Sequence, residues 1–450
     1  MFEDAAKKVL LLNDSFPPWI DGVANVVLNY ARHIGNGYGK SAVVTTEYPG
    51  SDDSGYDFPV YRFPGLDLTQ KKSIVAGIPI STKVLGQVRA ENPDIMHCHC
   101  PMASFLFSRQ LRPLLDVPFV MTDHTKYDID IENVFKLKPV SAILIDLMVE
   151  SIYACDEVWT VSRGAGESLK QLGYEGEYIV MPNGVDIPHE QADESAVNEA
   201  CRQYDLPAGV PVFLFVGRMM WYKGIKIIID AVSRLQHDGM DFRMVFVGGG
   251  SEYNSIRQYA EKSEASEKII FTGSITDRDS LRAWYTRADL MLFPSNFDTN
   301  GLVVREAAAC SLPAMLLEGS CAAEGVTDGR NGFLISESAE AMAARIKEIF
   351  CVSENGAADG IGGLRGGQTV PDELKRVGEA AGNELYISWS DAVGCACERY
   401  DTVIDNYKRG LYPKHKRFSD TMLGSMGILQ NKLYFLSGLE LELPMHRFFN

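Results

Sequence analysis

Phe213-Leu214-Phe215-Val216-Gly217-Arg218-Met219-Met220-Trp221-Tyr222-Lys223-Gly224-Ile225 opens on four apolar residues, turns on a glycine and delivers two cations before the next apolar stretch. It reads as a buried strand, Phe213 to Val216, a loop, and a helix starting near Ile225. The pattern continues toward the C-terminus. Arg243 to Val247, Lys268 to Phe271, Leu290 to Phe293 and Pro313 to Leu317 read as further buried strands, with helices starting near Ser251, Asp277 and Gly301. Buried strands that alternate with helices imply an α/β domain with a doubly wound parallel sheet.

The N-terminal half repeats the pattern more weakly. Lys8 to Asn13 is a short apolar run, Asp14 to Gly22 a polar loop with prolines, and Val23 to Ile34 an amphipathic helix. Ser41 to Thr46, Asp94 to His97, Pro118 to Thr122 and Glu157 to Val161 are strand-like. Ile80 to Glu91, Ala103 to Leu115 and Val140 to Cys155 are helical, and Tyr178 to Met181 closes the half. The chain therefore divides into a first Rossmann-like domain, 1–188, a polar linker, 189–208, and a second Rossmann-like domain, 209–394. A C-terminal helix and tail, 395–450, are expected to pack back on the first domain. The glycine-rich stretch 356–367 is expected to be a mobile loop and carries no chemistry.

A length of 450 residues exceeds what one hydrophobic core usually supports, and 46% hydrophobic with 23% charged residues is a globular composition. The net charge of −17 opposes nucleic acid phosphates, so no nucleic acid partner is expected. Any contact with an anionic membrane must be local. No run of eighteen apolar residues occurs, and Met1 to Leu12 carries acids and only a short apolar stretch. The chain is expected to be cytoplasmic. Nine cysteines without framework spacing read as reduced thiols. His97-Cys98-His99-Cys100 ends a strand-like run in which alternate side chains point to opposite faces, so no metal site is expected there.

A nucleoside diphosphate needs donors from cations and from backbone amides at a helix start. Two segments offer both. One is the loop that carries Arg218 and Lys223 beyond a strand end, where ligands sit in open parallel sheets. The other is Pro294 to Ala307, in which a strand runs into a polar loop, Asn300 and Gly301 open a helix at Leu302 and Val303, and carboxylates stand eight apart at Asp298 and Glu306. Gly301 lets a phosphate approach the backbone. Glu306 precedes Ala307-Ala308-Ala309-Cys310, a packed helix where an idle acid is costly; a buried acid there can accept two ribose hydroxyls.

Taken in order, Asp21-Gly22-Val23-Ala24, His97-Cys98-His99, Thr122-Asp123-His124-Thr125, Pro182-Asn183-Gly184-Val185-Asp186, Val216-Gly217-Arg218 with Lys223-Gly224, Val247-Gly248-Gly249-Gly250, Phe271-Thr272-Gly273 and the paired acids form a pattern. Over roughly residues 9 to 410 this pattern resembles the retaining GT-B glycosyltransferases of family GT4, including the branch that glycosylates diacylglycerol. The resemblance implies two Rossmann-like domains facing a cleft, and transfer of a hexose from a nucleotide sugar, UDP-glucose or a relative, to a hydroxyl acceptor. It implies no separate cofactor and no metal. Arg218 and Lys223 would hold the diphosphate and stabilise the leaving group. Asp298 would orient the transferred sugar, Glu306 would bind the ribose, and Ser274 and Ile275 would meet the base. Gly22 would close on the donor phosphates, and His124 would contact the donor sugar. The first acid of the pair is usually Glu, and here Asp298 is shorter by one methylene. That departure leaves the identity of the sugar open.

Other readings fare worse. A dehydrogenase would show G-x-G-x-x-G after the first strand, whereas Asp14 to Gly22 holds a single glycine. A GT-B epimerase or phosphorylase is disfavoured by the acid pair with Arg218 and Lys223. A non-catalytic nucleotide-sugar binding protein would keep the same binding residues. The acceptor is expected to be a diacylglycerol-type lipid, with a soluble sugar or polysaccharide precursor as the alternative. The segment Thr122 to Asn133 resembles the corresponding loop of lipid glycosyltransferases. Leu66 to Ile80 and the basic run Lys408 to Arg417, followed by Met422, Leu423, Met426, Ile428 and Leu429, suit peripheral contact with the inner face of a membrane.

Overall fold

The structure of the chain is a computed structural model, and it describes residues 6–19, 21–67, 75–124, 138–350, 371–412 and 418–437. The glycine-rich stretch 356–367 lies outside the described residues, as do residues 68–74 of the segment 66–80 and residues 125–133 of the segment 122–133. Two compact units are present: Met1–Asn183 with Trp389–Asn450, and Gly184–Ser388.

The first unit is built on β1 (Lys7–Leu12), β2 (Gly39–Thr46), β3 (Val60–Phe63), a small antiparallel pair β4 (Gly65–Asp67) and β5 (Val75–Gly77), then β6 (Ile95–Cys98), β7 (Phe119–Asp123), β8 (Glu157–Thr160) and β9 (Ile179–Val180). Seven of these form one sheet in the order β3-β2-β1-β6-β7-β8-β9. Every recorded pairing in it is parallel; Leu10, for example, is in register with Ala42 on one side and Met96 on the other. Alternation along the strands splits the core in two. Leu10, Leu12, Met96, Cys98 and Met121 face one side, beneath the helices Thr82–Glu91, Ala103–Leu115 and Lys138–Ile152. Val9, Leu11, Val43, Val120 and Trp159 face the other. That side is covered by Val26, Val27 and Tyr30 of the helix Gly22–Gly35 and by Val393, Ala396, Tyr400 and Val403 of the helix Trp389–Lys408. Asp21 starts the former by accepting the amide of Ala24 at 2.7 Å.

The second unit contains β10 (Val212–Val216), β11 (Arg243–Val247), β12 (Ile269–Gly273), β13 (Leu290–Phe293), β14 (Ala314–Leu317) and β15 (Phe333–Ile335), in the order β12-β11-β10-β13-β14-β15. This is the doubly wound order of dinucleotide-binding sheets, and the direction of winding reverses between β10 and β13. The helices Ile225–His237, Tyr253–Glu261, Arg278–Arg287 and Leu302–Ala309 begin where glycine or an acidic cap predicts, with Gly224, Asp277 and Gly301 in the cap positions.

The domain borders differ from expectation. Residues 189–208 are part of the second unit rather than a linker. Gln191 donates to the Cys310 carbonyl, the Ala192 amide donates to the Thr286 hydroxyl, and Tyr204 and Leu206 pack on the second core. The return to the first unit falls at Trp389, not at 395, because the stripe Trp389, Val393, Ala396, Tyr400 belongs to one continuous 20-residue helix. The last helix, Phe418–Ser437, lies on the helix Ala103–Leu115: Gly424 sits against Pro113, and Gly427 against the backbone of Gln110.

Gly248 ends β11 with φ +147°, and a β-carbon there would stand 1.9 Å from the Gly217 carbonyl oxygen. Gly22 has open space around its β-carbon position. Gly248→Ala should therefore cost about 2–4 kcal/mol of stability, whereas Gly22→Ala should change it by less than about 1 kcal/mol. Urea unfolding monitored by circular dichroism distinguishes the two; equal effects would refute the packing account.

Candidate active site

In the second unit the loops after β10 and β13 diverge at the point where the strand order reverses, and the expected residues gather there. Lys223 is buried, and its Nζ lies 2.5 Å from Asp298 Oδ1. The ammonium also sits near the rings of Tyr222, Phe293 and Phe297, 5.7–6.0 Å from their centroids. Asp298 therefore does not cap the following helix. Its second oxygen, Oδ2, is buried with no hydrogen-bond partner among the described residues, and the same holds for Asn300 Nδ2 two residues on. A buried acceptor and donor of this kind in one loop are groups that a ligand's hydroxyls can satisfy.

Gly301 adopts φ +57°, and a β-carbon there would come within 2.9 Å of Ala322. Glycine is thus required by the backbone and by a neighbouring loop as well as by any ligand. The helix Leu302–Ala309 has no side-chain cap, so the amides of Leu302 and Val303 at its start keep their anion-binding capacity. The helix Gly22–Gly35 differs: Asp21 already occupies the amide of Ala24. Arg218 is exposed on the loop after β10. Ser274, also exposed, follows β12 beside Gly249, and Ile275 packs against the core.

Glu306 is only 8% exposed, and both its oxygens are engaged. Oε1 accepts from Arg278 Nη1 at 3.0 Å, and Oε2 accepts from the Tyr285 hydroxyl at 2.8 Å. Arg278 also reaches Asp186 at 3.2 Å. Burial pushes the Glu306 carboxyl up, and the Arg278 charge and the Tyr285 bond pull it down. Arg278 and Tyr285 escaped sequence reasoning. Their seven-residue spacing places them on one face two turns apart, but nothing local says that the face meets Glu306.

In the first unit His124 follows β7, buried, with its Nε2 3.0 Å from His99 Nδ1. His97 stacks beside His99, accepts or donates at Nδ1 with the Tyr400 hydroxyl at 2.5 Å, and pairs through Nε2 with Thr122 at 2.7 Å. The expected alternation holds for His97 and Cys98, which face opposite halves of the core. Asp14, at the end of β1, accepts the amides of Ala103 and Ser104 and so caps the helix Ala103–Leu115. His99 was part of the expected pattern without a role of its own, and no role was expected for Asp14.

The conserved-domain model of the Glycosyl transferases group 1 matches residues 197–354, and that of Glycosyltransferase Family 4 matches residues 20–188. Among curated relatives, the alpha-monoglucosyldiacylglycerol synthase of Acholeplasma laidlawii is 22% identical over 360 residues, covering 77% of this chain and 88% of the relative. A GDP-mannose-dependent alpha-mannosyltransferase of Corynebacterium glutamicum is 24% identical over 336 residues, covering 73% and 76%. Sucrose-phosphate synthase from Thermosynechococcus elongatus shares the fold with a TM-score of 0.67 at 18% identity, over 89% of this chain and 99% of that one. A glycosyltransferase from Rickettsia africae gives 0.65 at 18%, with the same coverage. The chain belongs to the GT-B glycosyltransferases of family GT4.

The three buried imidazoles fix a pH dependence. Burial holds His97 and His99 well below the ordinary histidine range and His124 at about 3. The unfolded chain protonates near pH 6.5, so the unfolded state binds more protons below that value. Stability is full above pH 6.5 and is lost as the pH falls toward the folded values, at about 1.4 kcal/mol per pH unit for each group. Between pH 6 and 4.5 the urea-derived stability of His99→Gln should fall less steeply than that of the wild type, by about 1.4 kcal/mol per unit. Identical slopes would mean that His99 is charged in the folded state.

Proposed function

We propose that this glycosyltransferase moves a hexose from a nucleoside-diphosphate sugar to an acceptor hydroxyl, with retention at the anomeric carbon and without a metal ion. The observation that carries this reading is Asp298, whose one oxygen holds Lys223 and whose other oxygen is buried and unspent. Lys223 has three donors, one of them on Asp298, and its ammonium can carry the field of that pair to a diphosphate oxygen. The uncapped start of the helix Leu302–Ala309 adds amides and the positive end of its dipole. Arg218, exposed on the loop after β10, supplies a further cation. These groups neutralise the departing diphosphate in the role a cation fills elsewhere.

Asp298 Oδ2 takes a hydroxyl of the transferred sugar, and Glu306 takes the ribose. In the transfer, the bond between the anomeric carbon and the phosphate oxygen breaks. The acceptor oxygen bonds to the same face of that carbon, and its proton passes to the leaving phosphate. That route needs no carboxylate nucleophile. A non-catalytic binding protein would keep the same contacts and release no nucleotide.

The names of the curated relatives differ in donor and acceptor, covering glucosyl-diacylglycerol, GDP-mannose and inositol phosphate. A diacylglycerol-type acceptor is favoured by the surface of the last helix, where Met422, Ile428 and Leu429 face outward while Leu423 packs in. Leu411 is 57% exposed just before it, beside Lys408 and Arg409. No described helix is long and apolar enough to cross a membrane, so contact with lipid would be peripheral.

Nucleotide release from a panel of UDP, GDP and ADP sugars should single out one nucleotide. Lys223→Ala should lower that turnover by about a hundredfold or more with the fold intact, as loss of a charge-stabilising donor does. EDTA should leave turnover unchanged. Lys223→Ala activity within about threefold of wild type would remove Lys223 from the donor site, and magnesium-restored activity after EDTA would refute the metal-free scheme.

Liposomes containing phosphatidylglycerol should pellet the protein at low salt and release it at high salt, and Met422→Ser with Leu429→Ser should weaken that pelleting about tenfold. Transfer to a soluble sugar but not to diacylglycerol, with no pelleting, would exclude the lipid acceptor.

A further inference from the structure

Glu306 presents an unusual balance of burial and charge. It lies on a helix whose next residues, Ala307 and Ala308, are almost fully buried, so its carboxylate has little water to stabilise it. Two groups from one face of the helix Arg278–Arg287 replace that water: the Arg278 guanidinium at Oε1 and the Tyr285 hydroxyl at Oε2. The Tyr285 phenol is itself held far above its ordinary range by burial and so remains a neutral donor. Arg278 is anchored from its other side by Asp186, which follows the Pro182-Asn183-Gly184-Val185 segment. The remaining titratable neighbour is the Cys310 thiol, which burial pushes up to about 12 and keeps neutral. Each carboxylate oxygen has two lone pairs, and the protein uses one on each.

We propose that Arg278 is a positioning residue for nucleotide binding: through Oε1 it holds Glu306 ionised and oriented, so that the second lone pairs of both oxygens meet the two ribose hydroxyls. The inference rests on the reading of Glu306 as the ribose acceptor. In this role Arg278 acts through Glu306 rather than on the reacting atoms. Without it, Glu306 would be left in a buried setting with only a neutral phenol and the Asp186 charge nearby. Both circumstances favour the protonated carboxyl, which offers a ribose diol fewer acceptors. A structural ion pair predicts loss of stability alone. The positioning role predicts a new pH dependence of binding.

The test measures affinity for UDP, GDP and ADP by calorimetry from pH 5.5 to 8.5, for wild type, Arg278→Ala, Arg278→Lys and Glu306→Gln, with thermal melts confirming that each variant is folded. The ratio of variant to wild-type affinity is read at each pH for the tightest nucleotide, which cancels the titration of the nucleotide's own phosphate. Arg278→Ala should bind about tenfold more weakly near pH 6 and recover to within about twofold at pH 8.5, as Glu306 regains its charge. Arg278→Lys should stay flat, and Glu306→Gln should be weak at every pH. If Glu306→Gln is weak but the Arg278→Ala ratio is flat, or if Arg278→Ala binds more tightly, the positioning role is wrong and the ribose assignment stands. If Glu306→Gln binds like wild type, the ribose assignment fails and the inference falls with it.

Discussion

Neighbouring parallel strands cannot be joined by a tight turn. The chain has to cross back along a face of the sheet, and it does so with a fixed hand. A sheet that is wound outward from a central strand in both directions must therefore change faces once. In the second unit the change falls between β10 and β13. The loops leaving those two strands part there, and it is these loops that carry Lys223 and Asp298. The proposed donor site follows from that parting: in a sheet of this kind the strand ends all point one way, helix starts lie beside them, and the place where adjacent loops go to opposite faces is where ligands sit.

The charged groups at that place are held by one another rather than by water. A buried ion pair contributes little net stability because both partners lose hydration, while removal of one partner is costly. Lys223 with Asp298 is such an arrangement, and Glu306 is a buried carboxylate held by Arg278, whose own head and its second partner Asp186 are partly exposed. Their value lies in fixing where unspent lone pairs and N–H groups point.

Most of the β-framework could be read from the sequence because buried parallel strands are continuous apolar runs: Arg243–Val247 and Leu290–Phe293 have the expected limits. Helix starts marked by Asp277 or Gly301 were equally plain. Other elements carry little local signal. The helix Glu194–Cys201 fully buries none of its residues, and its partly buried stripe of Ala196, Val197, Ala200 and Cys201 is too small to give a strong signal. The helix Asp372–Leu385 contains Gly378 and Gly382, which lower its propensity but let it approach Ser311 and His189 closely. In the site, Lys223, Asp298 and Glu306 stood out by spacing and context. Arg278, Tyr285 and His99 did not, because each matters only through a partner brought near by the fold.

The helix Trp389–Lys408 has a consequence for the order in which the molecule can be completed. Its residues Val393, Ala396, Tyr400 and Val403 cover Val9, Leu11 and Val43, on strands some 350 residues earlier in the sequence, and its Tyr400 closes the bond to His97. The second unit, by contrast, is one uninterrupted segment, Gly184–Ser388. During synthesis from the N-terminus, the interior half of the chain has all of its sequence while the outer half still lacks part of its covering. Once the chain has been made through Asn183, the strands of the first unit thus wait with one apolar face incompletely sheltered while the second unit, Gly184–Ser388, is translated, about ten to forty seconds at ordinary rates. Domain nesting of this kind leaves a face of the first unit unsealed until the chain returns to it, and that interval is when a chaperone would have most of its apolar surface to hold.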